Sequence, residues 1–273
     1  MKTLHNQILL YDEDCPLCKA YTSGFVQAGM LDHNGKKPFT AMSAEEQHFV
    51  DCNRAVNEIA LVDTENKTVR YGIDSLLHIL GYSFPILQNI GNIKPIHYIL
   101  QKSYSFISYN RKVIIPGQAA SENTLQCIPA FNYKYRYFYI FFAVLCTAVT
   151  LFSFSNTLTV LPKSDFGREL ILAFGQVCFQ AIFLLRFDFK TITTYFGNLM
   201  TVSVMGSLLL LPLLLLHSFI LLPQLLLLGW FGSTVLLMFG EHYRRIQLLE
   251  LPHYLCFTWI AYRIMALLII LNL

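Results

Sequence analysis

The chain has 273 residues, 55% of them apolar, with a formal net charge of +3. The basic residues are scattered rather than clustered, which leaves no electrostatic footprint for nucleic acid. The charges are unevenly spread: of the 37 Asp, Glu, Lys and Arg residues, 25 precede Tyr137 and 12 follow it. The first half therefore reads as soluble-protein material and the second as lipid-embedded. Residues Met1 to Asn6 are polar, and Ile8 to Tyr11 is too short an apolar run for a secretory signal.

In chain order, Gln7 to Tyr11 has the apolar character of a buried strand. It runs into Asp12-Glu13-Asp14-Cys15-Pro16-Leu17-Cys18, after which Lys19 to Leu31 predicts a helix, with Leu17, Tyr21 and Phe25 at four-residue steps. Pro38 to Thr40 predicts a second strand, and Ser43 to Asn53 a helix opened by a Ser-Ala-Glu-Glu capping pattern. Glu58 to Asp63 and Thr68 to Tyr71 predict the two arms of a hairpin. Ile73 to Leu80 and Pro95 to Tyr109 predict two further helices. Strand–helix–strand–helix–hairpin–helix is the order an α/β thioredoxin-like layered fold requires.

Seven cysteines are present, at 15, 18, 52, 127, 146, 178 and 256. An odd count with three in apolar segments is not the disulfide framework of a secreted domain. Only Cys15 and Cys18 have a spacing that implies chemistry. They fall at a strand-to-helix junction, where unpaired N–H groups and the partial positive charge of the helix end favour a thiolate. Cys15, expected at the exposed tip, is the candidate nucleophile. Cys18, three residues on along the same face, is the candidate resolving thiol. Asp14 is the expected N-cap, and Pro16 suits an early helical position. Asp12, Glu13 and Asp14 oppose thiolate formation if ionised nearby, and one of them, Asp12 foremost, is a candidate acid/base group or structural carboxylate. This chemistry requires no bound cofactor.

From Tyr137 onward, apolar runs predict an all-α bundle of about five membrane spans, near 137–157, 169–187, 196–216, 220–240 and 252–271. The residues before it divide into a domain at 1–115 and a linker at 116–136. Thr191 to Gly240 has no charged residue over a length that calls for two helices, with the turn near His217 and Ser218 and with Pro212 and Pro223 at the flanking helix ends. With five spans, one side carries Lys134, Arg136, Arg186, Lys190, Arg244 and Arg245, and the other only Lys163 and Arg168. That balance places the N-terminal domain in the cytoplasm. Arg263, mid-way along the last span, is a functional-site suspect; pairing with Glu169, Asp188 or Glu241 is the plainer expectation.

The motif Asp12, Cys15, Cys18 in the context Tyr-Asp-Glu-Asp-Cys-Pro-Leu-Cys resembles the DCC family of predicted thiol-disulfide oxidoreductases, named for Asp-x-x-Cys-x-x-Cys. The resemblance continues through the hairpin and the helix after Gly72 to Tyr109-Asn110-Arg111, over roughly residues 5 to 115. It implies a thioredoxin-like fold and a dithiol–disulfide activity on a protein or small-thiol partner, in a multi-pass protein whose other partner is membrane lipid. One departure stands out. The wider thioredoxin pattern places a cis-proline opposite the dithiol, and no proline lies between Pro38 and Pro85.

Two readings from other classes compete. One is a transporter or channel-like subunit with a non-catalytic N-terminal sensor or docking domain. The other is a zinc-binding adaptor in which Cys15 and Cys18 are completed by Cys52, Cys127, His33 or His48. Cys52 is otherwise expected as a half-buried core residue, and Cys127 as a linker residue that exchanges with Cys15 only if the linker folds back.

Overall fold

A computed structural model describes residues 2–117 and 130–272. The chain divides into two compact units, Met1–Tyr135 and Arg136–Leu273. Cys127 lies outside the described residues.

The first unit is built on a small mixed sheet with helices on both faces. Strand β1 (Gln7–Tyr11) leads into α1 (Pro16–Gln27), and β2 (Lys36–Pro38) returns parallel to β1. The hairpin β3 (Ala60–Asp63) and β4 (Thr68–Tyr71) completes the order β2-β1-β3-β4, with β1–β3 and β3–β4 antiparallel. Alternation along the strands sorts the core into two layers. Leu9 and its cross-strand partner Leu61 face a cluster with Leu31 and Ile79, whereas Leu10, Ala60 and Val62 face Phe39, Met42 and Val50.

Between Pro38 and β3 the expected elements are displaced. The expected strand at 38–40 sits earlier, at Lys36–Pro38, and Phe39–Ala41 is a single 3-10 turn that drives Phe39 into the core. Lysines suit that edge strand, because their charge discourages further pairing; Lys36 bonds Ser23 and Lys37 bonds Glu46. The single helix expected over 43–53 is two short ones. The first, α2 (Ala44–Phe49), opens with the Ser43–Glu46 capping box; the second, α3 (Cys52–Ala55), is capped by Asp51. The break falls where Val50 turns extended and the Asp51 N–H donates to Tyr71 Oη at 2.7 Å. After β4 come α4 (Ile73–Ser83), α5 (Pro85–Gly91) and α6 (Lys94–Ile114). No expectation covered α5, which starts at a proline where the first-turn N–H is dispensable.

The second unit is helical: α7 (Tyr133–Ser155, which begins in the first unit), α8 (Phe166–Ile182), α9 (Phe189–Phe219), α10 (Gln224–Leu248) and α11 (Tyr254–Asn272). Among the described residues, four helices are long and apolar enough to cross a membrane: α7, α9, α10 and α11 over Tyr254–Leu271. The segment expected to span at 169–187 forms α8, whose 17 residues rise only about 25 Å. The turn near His217 is confirmed, since α9 stops at Phe219 and the His217 ring accepts from the Leu222 N–H at 3.1 Å. Pro212 does not end a helix as expected; it lies inside α9. Pro212 leaves the Leu208 carbonyl without its usual helical donor, and the Trp230 indole N–H donates to the adjacent Leu209 O at 2.8 Å. Bundles tolerate internal prolines because neighbouring helices support the chain around them.

Arg263 finds none of the three acids expected for it. Glu169 takes Arg168 and Ser164, Glu241 takes Arg244 and Arg245, and Asp188 caps α9 through Thr191. The Arg263 guanidinium lies instead over the Trp259 ring, 4.6 Å from its centroid, a cation–π contact.

Candidate active site

The turn between β1 and α1 is shaped by Asp12. Its Oδ1 accepts from the Asp14 N–H at 3.0 Å, and its carbonyl accepts from the Cys15 N–H at 3.2 Å. Asp14 is therefore spent inside the turn, and the N-cap position falls to Cys15, in an extended conformation with φ −99° and ψ 107°. The expected Asp14 cap is thus corrected: the Cys15 sulfur itself accepts from the Cys18 N–H at 3.4 Å. Glu13, half-buried, accepts from Thr40 Oγ1 at 2.6 Å.

Both sulfurs are free thiols and both are buried, Cys15 at 1% exposure and Cys18 at 5%. The expectation of an exposed Cys15 is overturned. The chain leaving α6 lies across the motif turn: a Cβ on Gly117 would fall 1.9 Å from Asp14 O and 3.4 Å from Pro16 Cδ.

Beneath the dithiol, Arg111 of α6 reaches Asp12, with Nη2 3.1 Å from Oδ2. The same Nη2 donates to Val56 O at 3.1 Å, and Nη1 reaches Ser108 Oγ at 3.4 Å. Ser108 in turn donates to Asn57 O. A buried ion pair of this kind persists only when further hydrogen bonds satisfy both partners. Asp12, Cys18, Tyr21, Phe39, Ile59 and Arg111 line a cavity of about 10 Å³, room for about one water.

This setting separates the two thiols. Cys15 is lowered from its ordinary 9.0 to about 7. The largest cause is the hydrogen bond from the Cys18 side chain; burial opposes it, while the Cys18 N–H and the Arg111 charge assist and Asp12 resists. Cys18 is pushed up, first by that same bond to Cys15 and then by burial, whereas Tyr21 and the Arg111 charge pull it down. Near neutral pH Cys15 is thus about half ionised, while Cys18 keeps its proton. A sulfur half-ionised near pH 7 is close to the optimum for attack on a disulfide.

Of the remaining candidates, Cys52 is exposed rather than half-buried, its Sγ only 3.7 Å from Val50 O. His33 and His48 are exposed. Among the described residues, no three His, Cys, Asp or Glu side chains come together in a way that could hold a metal ion, so the zinc adaptor has no donor set there. Two contributors escaped the sequence reading. Tyr21 was assigned only to the apolar face, although its position three residues after Cys18 allowed a bond to that sulfur. Arg111 entered only as the end of the Tyr109-Asn110-Arg111 resemblance, and its pairing with Asp12, 99 residues away, carried no local signal. Compared with known proteins, the chain matches no protein-family model, no curated protein and no solved structure.

Proposed function

We propose that the protein is a membrane-anchored thiol–disulfide oxidoreductase, with Cys15 as nucleophile and Cys18 as resolving thiol. The observation that carries this reading is the Cys15 sulfur at a helix N-cap, bonded by Cys18 and backed by Arg111. The Cys15 thiolate attacks a disulfide R–S–S–R′, forming Cys15–S–S–R and releasing R′–S⁻. Cys18 then loses its proton to a released thiolate and attacks Cys15 Sγ, expelling R–S⁻. The substrate gains two electrons and the protein is left with a Cys15–Cys18 disulfide, which a dithiol or small-thiol donor reduces again. Asp12 is a positioning residue: it shapes the turn and holds Arg111 below the sulfurs.

The strand order β2-β1-β3-β4, the parallel β1–β2 pair and the helices on both faces support the thioredoxin-like reading. Lys134 and Arg136, at the start of the first spanning helix, support a cytoplasmic N-terminal domain, whichever way α8 lies.

Two measurements on the full chain test the proposal. The alkylation rate of Cys15 follows the thiolate fraction, so it rises as pH climbs through about 7 and levels off above it. With a model aryl disulfide, Cys18→Ser accumulates the mixed disulfide on Cys15, and Cys15→Ser gives none. An alkylation rate that climbs only near the ordinary 9.0, with no Cys15–Cys18 bridge at any redox poise, sinks the reading.

A second reading, transport, has one observation in its favour. Tyr195, His242 and Trp259 are each 1% exposed, and Tyr195 Oη, His242 Nε2 and Trp259 Nε1 have no hydrogen-bond partner among the described residues. Buried polar groups within membrane helices commonly mark a solute path. Solute flux in vesicles that Cys15→Ser leaves intact would favour it.

A further inference from the structure

The segment after α4 reverses the usual distribution of polarity. α5 packs on α4 through a glycine and a polar residue: Gly91 lies against Leu77, and Gln88 covers Gly81. Its large apolar side chains face outward, with Ile86 72% exposed and Leu87 and Ile90 each 46%. These three share one helical face, flanked by exposed Phe84 and Ile93, and α6 adds Tyr98 and Ile99, each 61% exposed. Seven exposed large apolar side chains between Phe84 and Ile99 are the kind of surface that marks an interaction site.

The charge of the same stretch narrows the partner. Tyr82 to Lys102 contains no Asp or Glu, and its fixed charges are Lys94 and Lys102. The Lys102 ammonium lies 5.3 Å from the Tyr98 ring centroid. Outward isoleucines and leucines with aromatic side chains and lysines at their margin make the surface that enters the headgroup region of an anionic bilayer. The chain also carries four helices able to cross a bilayer, so a lipid surface is available to the tethered unit at high effective concentration.

We propose that the face from Phe84 to Ile99 docks on the surface of an anionic lipid bilayer. Its apolar side chains enter the acyl boundary, and Lys94 and Lys102 meet the phosphates. The inference makes no use of the dithiol and rests only on the membrane reading.

The test uses the full chain in vesicles of phosphatidylcholine, alone or mixed equally with phosphatidylglycerol, each carrying a diazirine lipid whose adducts are mapped by mass spectrometry. Adducts are expected on the Tyr82–Lys102 peptide in the anionic vesicles. They fall by at least about tenfold in the double variant Ile86→Asp, Ile90→Asp, whose positions are exposed and whose folding is checked by unchanged hydrogen exchange at the β1 and β3 amides and unchanged adducts on α7, α9, α10 and α11. Lys94→Gln with Lys102→Gln lowers them as well. Adducts confined to the spanning helices overturn the docking and leave the membrane reading standing; no adducts on those helices overturn both. Equal hydrogen-exchange protection of Tyr82–Lys102 in detergent and in both vesicle types also overturns it, by assigning the cover to protein.

Discussion

The two units bury charge in opposite ways. In the membrane unit the ion pairs Arg168–Glu169, Arg244–Glu241 and Arg245–Glu241 join sequence neighbours. Each carboxylate is neutralised by its own stretch of chain, which lets an acidic residue enter a helical bundle with little demand on the rest of the fold. In the first unit Asp12 and Arg111 are 99 residues apart, and their side chains are 3% and 7% exposed. Local pairs make a segment tolerable where it lies. The distant pair joins the turn after the first strand to α6 and adds to the field around Cys15 and Cys18.

Breaking the distant pair is expected to give the largest effect. Arg111→Ala leaves the Asp12 carboxylate buried without a counter-charge, a loss of about 3–5 kcal/mol. Hydrogen exchange at β1 and β3 amides in the full chain reads it. Replacing both partners by apolar residues, Asp12→Leu with Arg111→Met, recovers most of that loss; if it does not, the pair has a structural role beyond mutual neutralisation. Gly117→Ala comes next. Its Cβ would land 1.9 Å from Asp14 O, so the chain after α6 must lift, at a cost of about 1–3 kcal/mol. The readout is faster alkylation of Cys15 at fixed pH, and an unchanged rate would show that this segment is not what limits access.

Tyr21→Phe removes the hydroxyl bonded to Cys18, worth about 1 kcal/mol. That bond favours the ionised sulfur, so its loss slows resolution, and the mixed disulfide persists about fivefold longer with its rate of formation unchanged. The smallest effect is expected in the membrane unit. Trp230→Phe deletes the bond to Leu209 O, and interhelical bonds of this kind average about 0.6 kcal/mol. A large shift in detergent thermal stability would show that the Pro212 turn depends on this bond far more than a typical helix contact.

Legibility in the sequence followed the range of the forces involved. β1, the hairpin and the start of α1 were readable because apolar runs, turn residues and four-residue spacing act within a few positions. The break at Val50–Asp51 was not, since it answers to the hydroxyl of Tyr71, 20 residues away. The dithiol could be found from its spacing and its place before a helix. Its burial could not, because the cover at Gly117 comes from the far end of the unit. The N-cap was misplaced for a nearer reason: Asp12 captured the Asp14 amide, an Asx turn that competes with ordinary capping. Pro212 misled because in water it would end a helix, whereas in a bundle neighbouring helices support the chain around it.

The separation of Asp12 from Arg111 has a consequence for biosynthesis. Ribosomes add about 5–20 residues per second, so Arg111 is made about 5–20 s after the motif. Until α6 docks, no guanidinium stands below the cysteines, so the help that Arg111 gives Cys15 is missing, while the bonds from Cys18 are local to the motif. The acidity of Cys15 is thus assembled in two stages, the larger with α1 and the remainder with α6.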